Sequence, residues 1–253
     1  MVNSAFRPFG FFKGDLDIDF DSPRPQLVSE VLYACLANRE SIDPAILETL
    51  SVGDRLALLL ELVRTNGHEI LVVNMTCDAA GCGQSFEVDV KLAALQELQR
   101  RANKVERVEV HAHGARIILR RPTAQDQYRW QRCSFEDSQQ AAEEMVQSLL
   151  VESEVELALP IPEAVVLTIE EAMLSADPLI APTVTSKCPY CGQNGERPMD
   201  LGRMLLAHLK DVQSSVIDTI HRLAKSYHWT EDEILALPAK RKEQYLKLIG
   251  RER

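Results

Sequence analysis

Four of the six cysteines fall into two close pairs, Cys77 with Cys82 and Cys188 with Cys191, and no comparable set of reactive side chains occurs elsewhere. Thiolates bind zinc tetrahedrally, and a structural site is closed by four protein ligands, so two pairs complement one ion. In Cys188-Pro189-Tyr190-Cys191-Gly192 two intervening residues let a single tight turn point both sulfurs at one metal, and Gly192 permits the left-handed backbone such a knuckle needs. Cys77-Asp78-Ala79-Ala80-Gly81-Cys82-Gly83 has a looser, four-residue interval, which the glycines around Cys82 allow to close. Strand-like residues on both sides of this first knuckle, Ile70–Met75 and Phe86–Val90, give the layout of a zinc-ribbon hairpin. The competing readings are four unrelated reduced thiols, a redox pair at Cys188/Cys191, and disulfides. No βαβ pattern surrounds Cys188/Cys191 as a thioredoxin-like motif would want, and a reducing cytosol disfavours disulfides. Cys35 and Cys133 belong to no pair and read as ordinary buried thiols.

Other candidates for chemistry are weaker. His111 and His113 share a strand face without a third ligand, so solvent-facing or hydrogen-bonded imidazoles are expected. Glu143, Glu144, Glu152, Glu154, Glu156, Glu170 and Glu171 are numerous, but they fall where an exposed helix face puts them, and acid-base catalysis needs a pocket and a second participant. The acids Asp15, Asp17, Asp19 and Asp21 lack the glycine and terminal glutamate of a calcium loop. An enzyme is therefore not expected.

At 253 residues, 45% hydrophobic and 26% charged, the chain can bury a substantial core. Met1 to Phe12 shows no sustained apolar region of a signal peptide, and no apolar run reaches bilayer-spanning length. A net charge of -10 opposes phosphate-backbone binding, so nucleic acid is not an expected partner. The basic cluster Lys240, Arg241, Lys242, Lys247, Arg251 and Arg253 reads as a solvated helix face rather than a nucleic-acid patch.

The elements that position the cysteines follow from periodicity. Residues 1–26 read as an extended N-terminal arm, with a short edge strand possible where Leu16, Ile18 and Phe20 alternate with acids. Its aromatic residues Phe6, Phe9, Phe11 and Phe12 must bury against either the chain's own core or another subunit. Residues 27–66 read as helices, with starts at Asp43-Pro44 and Ser51 and a stop at Asn66-Gly67. The first ribbon half spans 67–91, and an inserted β-hairpin with helices spans 92–180. Within that insertion, strands Val105–Val110 and Ala115–Leu119 meet at His113-Gly114, a capped helix follows Thr123, and helical patterns cover about 138–152 and 162–175. The second ribbon half is 181–200, and 201–253 is helical. There, Leu205, Leu209, Val212, Val216, Ile220, Leu223 and Tyr227 form one apolar stripe, and Thr230 with Glu233 forms a capping box before a last helix carrying Tyr245 and Ile249.

Gly53-Asp54-Arg55, the first knuckle, Asp177-Pro178-Leu179, the second knuckle, the long helix and Trp229-Thr230-Glu231-Asp232-Glu233-Ile234-Leu235-Ala236-Leu237 occur in this order. That order, over about residues 50 to 250, resembles the baseplate hub assembly chaperone family of contractile phage tails, the T4-like base plate proteins. The resemblance implies a non-enzymatic component of a contractile tail or related injection particle, with the four cysteines as metal ligands and hub or wedge proteins as partners. Such a protein would be cytoplasmic or incorporated in the particle. The combined expectation is an α+β fold, mainly helical, with a discontinuous four-cysteine zinc ribbon. Phe6, Phe9, Phe11, Phe12, Leu205, Leu209, Val216, Ile220 and Tyr245 are its candidate partner-binding residues. A zinc-ribbon nucleic-acid-binding or regulatory factor is the alternative, although Lys187 and Arg197 make a poor basic face.

Overall fold

The computed structural model describes residues 5–102, 105–112, 114–154 and 159–251; His113, Glu156 and Arg253 lie outside them. The chain runs α1 (Lys13–Leu16), α2 (Arg24–Cys35), α3 (Ala45–Thr49), α4 (Val52–Thr65), β1 (Ile70–Thr76), β2 (Ser85–Lys91) and α5 (Leu92–Arg101). It continues through β3 (Arg107–Ala112), β4 (Ala115–Arg120), α6 (Ala124–Gln131), α7 (Ser138–Leu149), β5 (Leu150–Ser153) and α8 (Glu163–Ala176). The last elements are β6 (Thr183–Lys187), β7 (Asn194–Pro198), α9 (Leu201–Tyr227), α10 (Glu231–Ala236) and α11 (Ala239–Arg251). This is an α+β fold with small antiparallel sheets ordered β1-β2, β3-β4-β5 and β6-β7. Among the described residues no helix is long and apolar enough to cross a membrane.

Local signals set most boundaries. Ser51 Oγ accepts the Asp54 N–H at 3.1 Å and starts α4, and Gly67 takes a left-handed φ of 82° just beyond its end. Asp200 accepts the Arg203 N–H at the head of α9. Thr230 and Glu233 exchange side-chain and backbone hydrogen bonds as a capping box in front of α10. Asp43 accepts the Ala45 N–H at 2.9 Å, but the helix it opens lasts only five residues.

Two apolar cores form. The first joins α2, α4, β1 and the first half of α9 through Leu32, Leu59, Leu60, Leu62, Leu201, Leu205 and Leu209. The second lies between the β3-β4-β5 sheet and helices α7 and α8, built from Val108, Val110, Ile117, Leu119, Val146, Val165 and Ile169. Helix α5 was not anticipated by pattern. Its Leu92 and Leu95 enter the first core, so the second core starts at β3 rather than at residue 92. The helical pattern over 138–152 also stops early: Leu150 extends and pairs with Leu119, and β5 completes the sheet. Backbone pairing with β4 satisfies those amide and carbonyl groups where a further helical turn would leave the sheet edge open.

Among the described residues, 5–26 do not form an extended arm. Asp15, completely buried, accepts N–H groups of Gly10, Phe11 and Phe12 at 2.9, 3.0 and 3.2 Å. Arg7 meets the same carboxylate through both terminal nitrogens at 2.7 and 2.8 Å and donates to the Ala34 carbonyl. This folded turn seats Phe6 and Phe9 in the first core, at 3% and 1% exposure. No strand forms at Leu16, Ile18 and Phe20, because Gln213 Nε2 from α9 takes the carbonyl oxygens of Asp15, Leu16 and Ile18, which an edge strand would have offered to a neighbour.

A second polar junction ties the two cores. Arg121, just past β4, reaches Asp54 at 2.9 Å and the buried Asp177 at 2.8 Å. Gly53 leaves the space this junction needs, since a Cβ there would collide with the Asp177 side chain.

Two substitutions test these junctions by chemical denaturation. Asp15→Ala strands the Arg7 charge and three amides and is expected to cost about 3 kcal/mol. Gly53→Ala forces Asp177 off Arg121 and is expected to cost about 2 kcal/mol.

Candidate metal centre

Each cysteine pair sits at the tip of a two-stranded hairpin. The β1-β2 ladder ends at Thr76 opposite Ser85, where the Cys77 N–H donates to Gln84 O at 3.0 Å and the Cys82 N–H to Ala79 O at 3.0 Å. The turn is closed by Gly81 and Gly83, with φ of 83° and 58°. The β6-β7 ladder ends at Lys187 opposite Asn194, where the Cys188 N–H donates to Gln193 O at 2.8 Å and the Gly192 N–H to Cys188 O at 2.9 Å. Gly192 has the left-handed φ, 75°, that the knuckle requires.

Apolar packing points the two tips at one another. β1 alternates Leu71, Val73 and Met75 inward, and Val184 of β6 joins the same core. The Met75 methyl lies 3.7 Å from the position a Cβ on Gly195 would take, so the second hairpin rests closely on the first.

The sulfurs pair across the hairpins. Cys77 Sγ is 3.5 Å from Cys191 Sγ, Cys82 Sγ is 3.8 Å from Cys188 Sγ, and all four lie within 4.8 Å of one another. A tetrahedron with metal–sulfur bonds of about 2.3 Å has edges of about 3.8 Å, so the four thiols fit a single ion. They are far beyond the roughly 2.05 Å of a disulfide. Among the described residues no other group of His, Cys, Asp or Glu converges in this way. Cys188 is buried, Cys77 and Cys82 are half-buried, and Cys191 is exposed.

The backbone prepares these sulfurs unequally. Burial pushes the Cys188 thiol up, but N–H groups of Cys191 and Tyr190 and the neighbouring thiols bring it down to about 7. At Cys77 an Ala79 N–H pulls downward, yet burial and the three other sulfurs carry the thiol up to about 12. At Cys82 the Gln84 N–H pulls downward and is likewise outweighed, chiefly by burial, so this thiol is raised. Four crowded sulfurs cannot all ionise against their mutual repulsion, and a cation at their centre supplies the missing countercharge.

The other candidate residues have different fates. Phe6, Phe9, Leu205 and Leu209 belong to the first core and present nothing to a partner. Phe11 and Phe12 are 53% and 56% exposed. Val216 and Ile220 are half-buried on α9, where Gly10 approaches Val216. Tyr245 is half-buried against Tyr227 and Trp229, with ring centroids 5.4 and 5.0 Å away. Ile217 and Leu248, both 47% exposed, stand outside the apolar spacing that marks the stripe on α9 and the face of the last helix. His111 is exposed with Nε2 3.2 Å from Glu109. Cys133, expected to be buried, is exposed beyond the end of α6, whereas burial drives the Cys35 thiol up to about 12.

The fold and site together define an α+β protein in which four cysteines from two hairpins distant in sequence converge on one place. The family model described as T4 bacteriophage base plate protein matches residues 19–201, and the chain belongs to that family. No curated protein and no solved structure matches it. The matched span contains all four cysteines and both polar partners of Arg121, while α9 beyond its first residue and the closing helices lie outside it.

About one metal ion per chain is expected by elemental analysis. Cys191→Ser should lower metal content and melting temperature together. Stoichiometric metal in the Cys188→Ser, Cys191→Ser double variant would refute a shared centre, because each hairpin alone supplies two ligands.

Proposed function

We propose that this chain is a non-enzymatic assembly factor or structural component of the baseplate hub, in a contractile phage tail or contractile injection system. One structural zinc ion stabilises it, and it acts by binding other proteins. Membership of the base plate family supports the structural or assembly role. The observation that carries the zinc reading is the tetrahedral convergence of four thiols, which leaves no open coordination position for a substrate. A tetrahedral all-sulfur set selects zinc or iron, and zinc is the ion of closed structural ribbons. By joining hairpins on either side of the insertion, the ion holds α9 against the N-terminal helices.

The binding surfaces are the apolar groups the fold leaves exposed, Phe11 and Phe12 before α1, Ile217 on α9 and Leu248 on α11, together with the half-buried Ile220 and Tyr245. Exposed aromatic anchors of this kind commonly dominate protein interfaces. Hub or wedge proteins are the proposed partners, and the net charge of -10 argues against nucleic acid.

Coexpression of the tagged chain with its neighbouring tail genes tests this. One hub or wedge protein should copurify in fixed ratio, with zinc as the bound metal. The Phe11→Ser, Phe12→Ser pair should reduce capture severalfold while leaving zinc content and melting temperature unchanged. Copurification of nucleic acid with a steep salt dependence, and of no tail protein, would overturn the reading.

A further inference from the structure

Arg55, in the first turn of α4, is 2% exposed, and Glu48 and Tyr128 act on its charge without a direct hydrogen bond to it. Its Nη2 donates to the Pro25 carbonyl at 2.6 Å and to Ser29 Oγ at 2.7 Å, while its Nε has no partner. Among the described residues it forms no ion pair; the adjacent Asp54 is engaged by Arg121. Burial holds the guanidinium below its ordinary pKa. A buried cation in this condition is costly unless something pairs with it.

The same guanidinium lines a cavity of about 100 Å³ where α2, α4, α6 and the head of α9 meet. Arg24, Asp200 and Gln127 add polar groups to its wall, and Pro25, Val28 and Leu56 add apolar ones. Arg24 is already paired in a fork with Asp200, at 2.8 and 2.9 Å, so Arg55 is the cation left to attract a ligand. A cavity of roughly 150 Å³ accepts benzene, so this one suits a group of about four heavy atoms. Apolar walls with one unpaired guanidinium favour a short aliphatic carboxylate over a fully hydrated inorganic anion.

We infer that this cavity is a binding site for a single small carboxylate, which pairs with Arg55. The carboxylate comes from a free short-chain acid or from an acidic side chain of a partner protein. The site stands apart from the cysteine centre and does not depend on the baseplate reading.

Thermal melts of the full chain test it. Sodium acetate and propionate should give a saturable rise in melting temperature beyond that of sodium chloride at matched ionic strength and pH. A free-acid site responds to these salts and not to acetyl-Gly-Asp-Gly-amide; a partner's side chain is indicated if the blocked peptide acts at lower concentration and its asparagine counterpart does not. Arg55→Met should abolish either response. Gly202→Ala provides a second variant: its Cβ would lie 3.1 Å from Leu56 Cδ2, narrowing the cavity while keeping Arg55 and favouring the helix. If Arg55→Met fails to fold, Gly202→Ala decides. No response of the wild-type chain to either probe, or an undiminished response in the folded variants, overturns the inference.

Discussion

Cys77 and Cys191 are separated by 114 residues and Cys82 and Cys188 by 106, yet their four sulfurs lie within 4.8 Å of one another. Closing a chain loop of that length costs about 4 kcal/mol beyond the constant term, and each knuckle alone can hold only half a metal site. The closure is supported from beneath by Leu71, Val73, Met75 and Val184, which place both hairpins on the first core. A structural zinc ion of the proposed kind contributes on the order of 10 kcal/mol in small peptides, enough to outweigh the loop. Position and direction of α9 follow from this, because β7 delivers the chain to its first residue within a few positions of the second knuckle.

The closed loop contains the insertion, whose β3-β4-β5 sheet and helices α7 and α8 have a core of their own. Two of its segments return to the same place. Arg121 at the exit of β4 and Asp177 after α8 meet Asp54 and Gly53 at the start of α4, so the insertion is fixed at a polar junction as well as at the ribbon. Burial pushes the Asp177 carboxyl above the usual carboxylate range, and the Arg121 guanidinium opposes that shift. A charge held inside in this way specifies geometry more than it adds stability, since only one arrangement pairs it.

For a base plate protein, the division between covered and uncovered apolar residues matters most. Phe6 and Phe9 are consumed by the chain's own core, while Phe11 and Phe12, a few residues further on, stay outside. The difference arises at Asp15, whose carboxylate gathers the amides of Gly10 to Phe12 and turns the segment just after Phe9, where burial gives way to exposure. Along α9 a similar division appears: its first half is buried as Leu205 and Leu209, and its second half carries α10 and α11.

Features that depend on a few adjacent residues were legible in the sequence. The cysteine intervals, the glycines that turn each knuckle, the Ser51 and Thr230 caps and the stop at Gly67 are all decided by hydrogen bonds and dihedral limits within about one turn of backbone. The four cysteines that converge could therefore be named, and the first ribbon hairpin drawn. Which sulfurs lie closest, Cys77 to Cys191 and Cys82 to Cys188, was decided by how the hairpins pack. The fates of Phe6 and Phe9, the strand at Leu150, the entry of α5 into the first core and the buried charge of Arg55 were decided the same way. Each depends on what residues tens of positions away place beside it, and apolar spacing is identical whether a face is covered by its own chain or left for another. Tertiary packing alone breaks that degeneracy, because burial is a property of the assembled surface and not of the segment that supplies it.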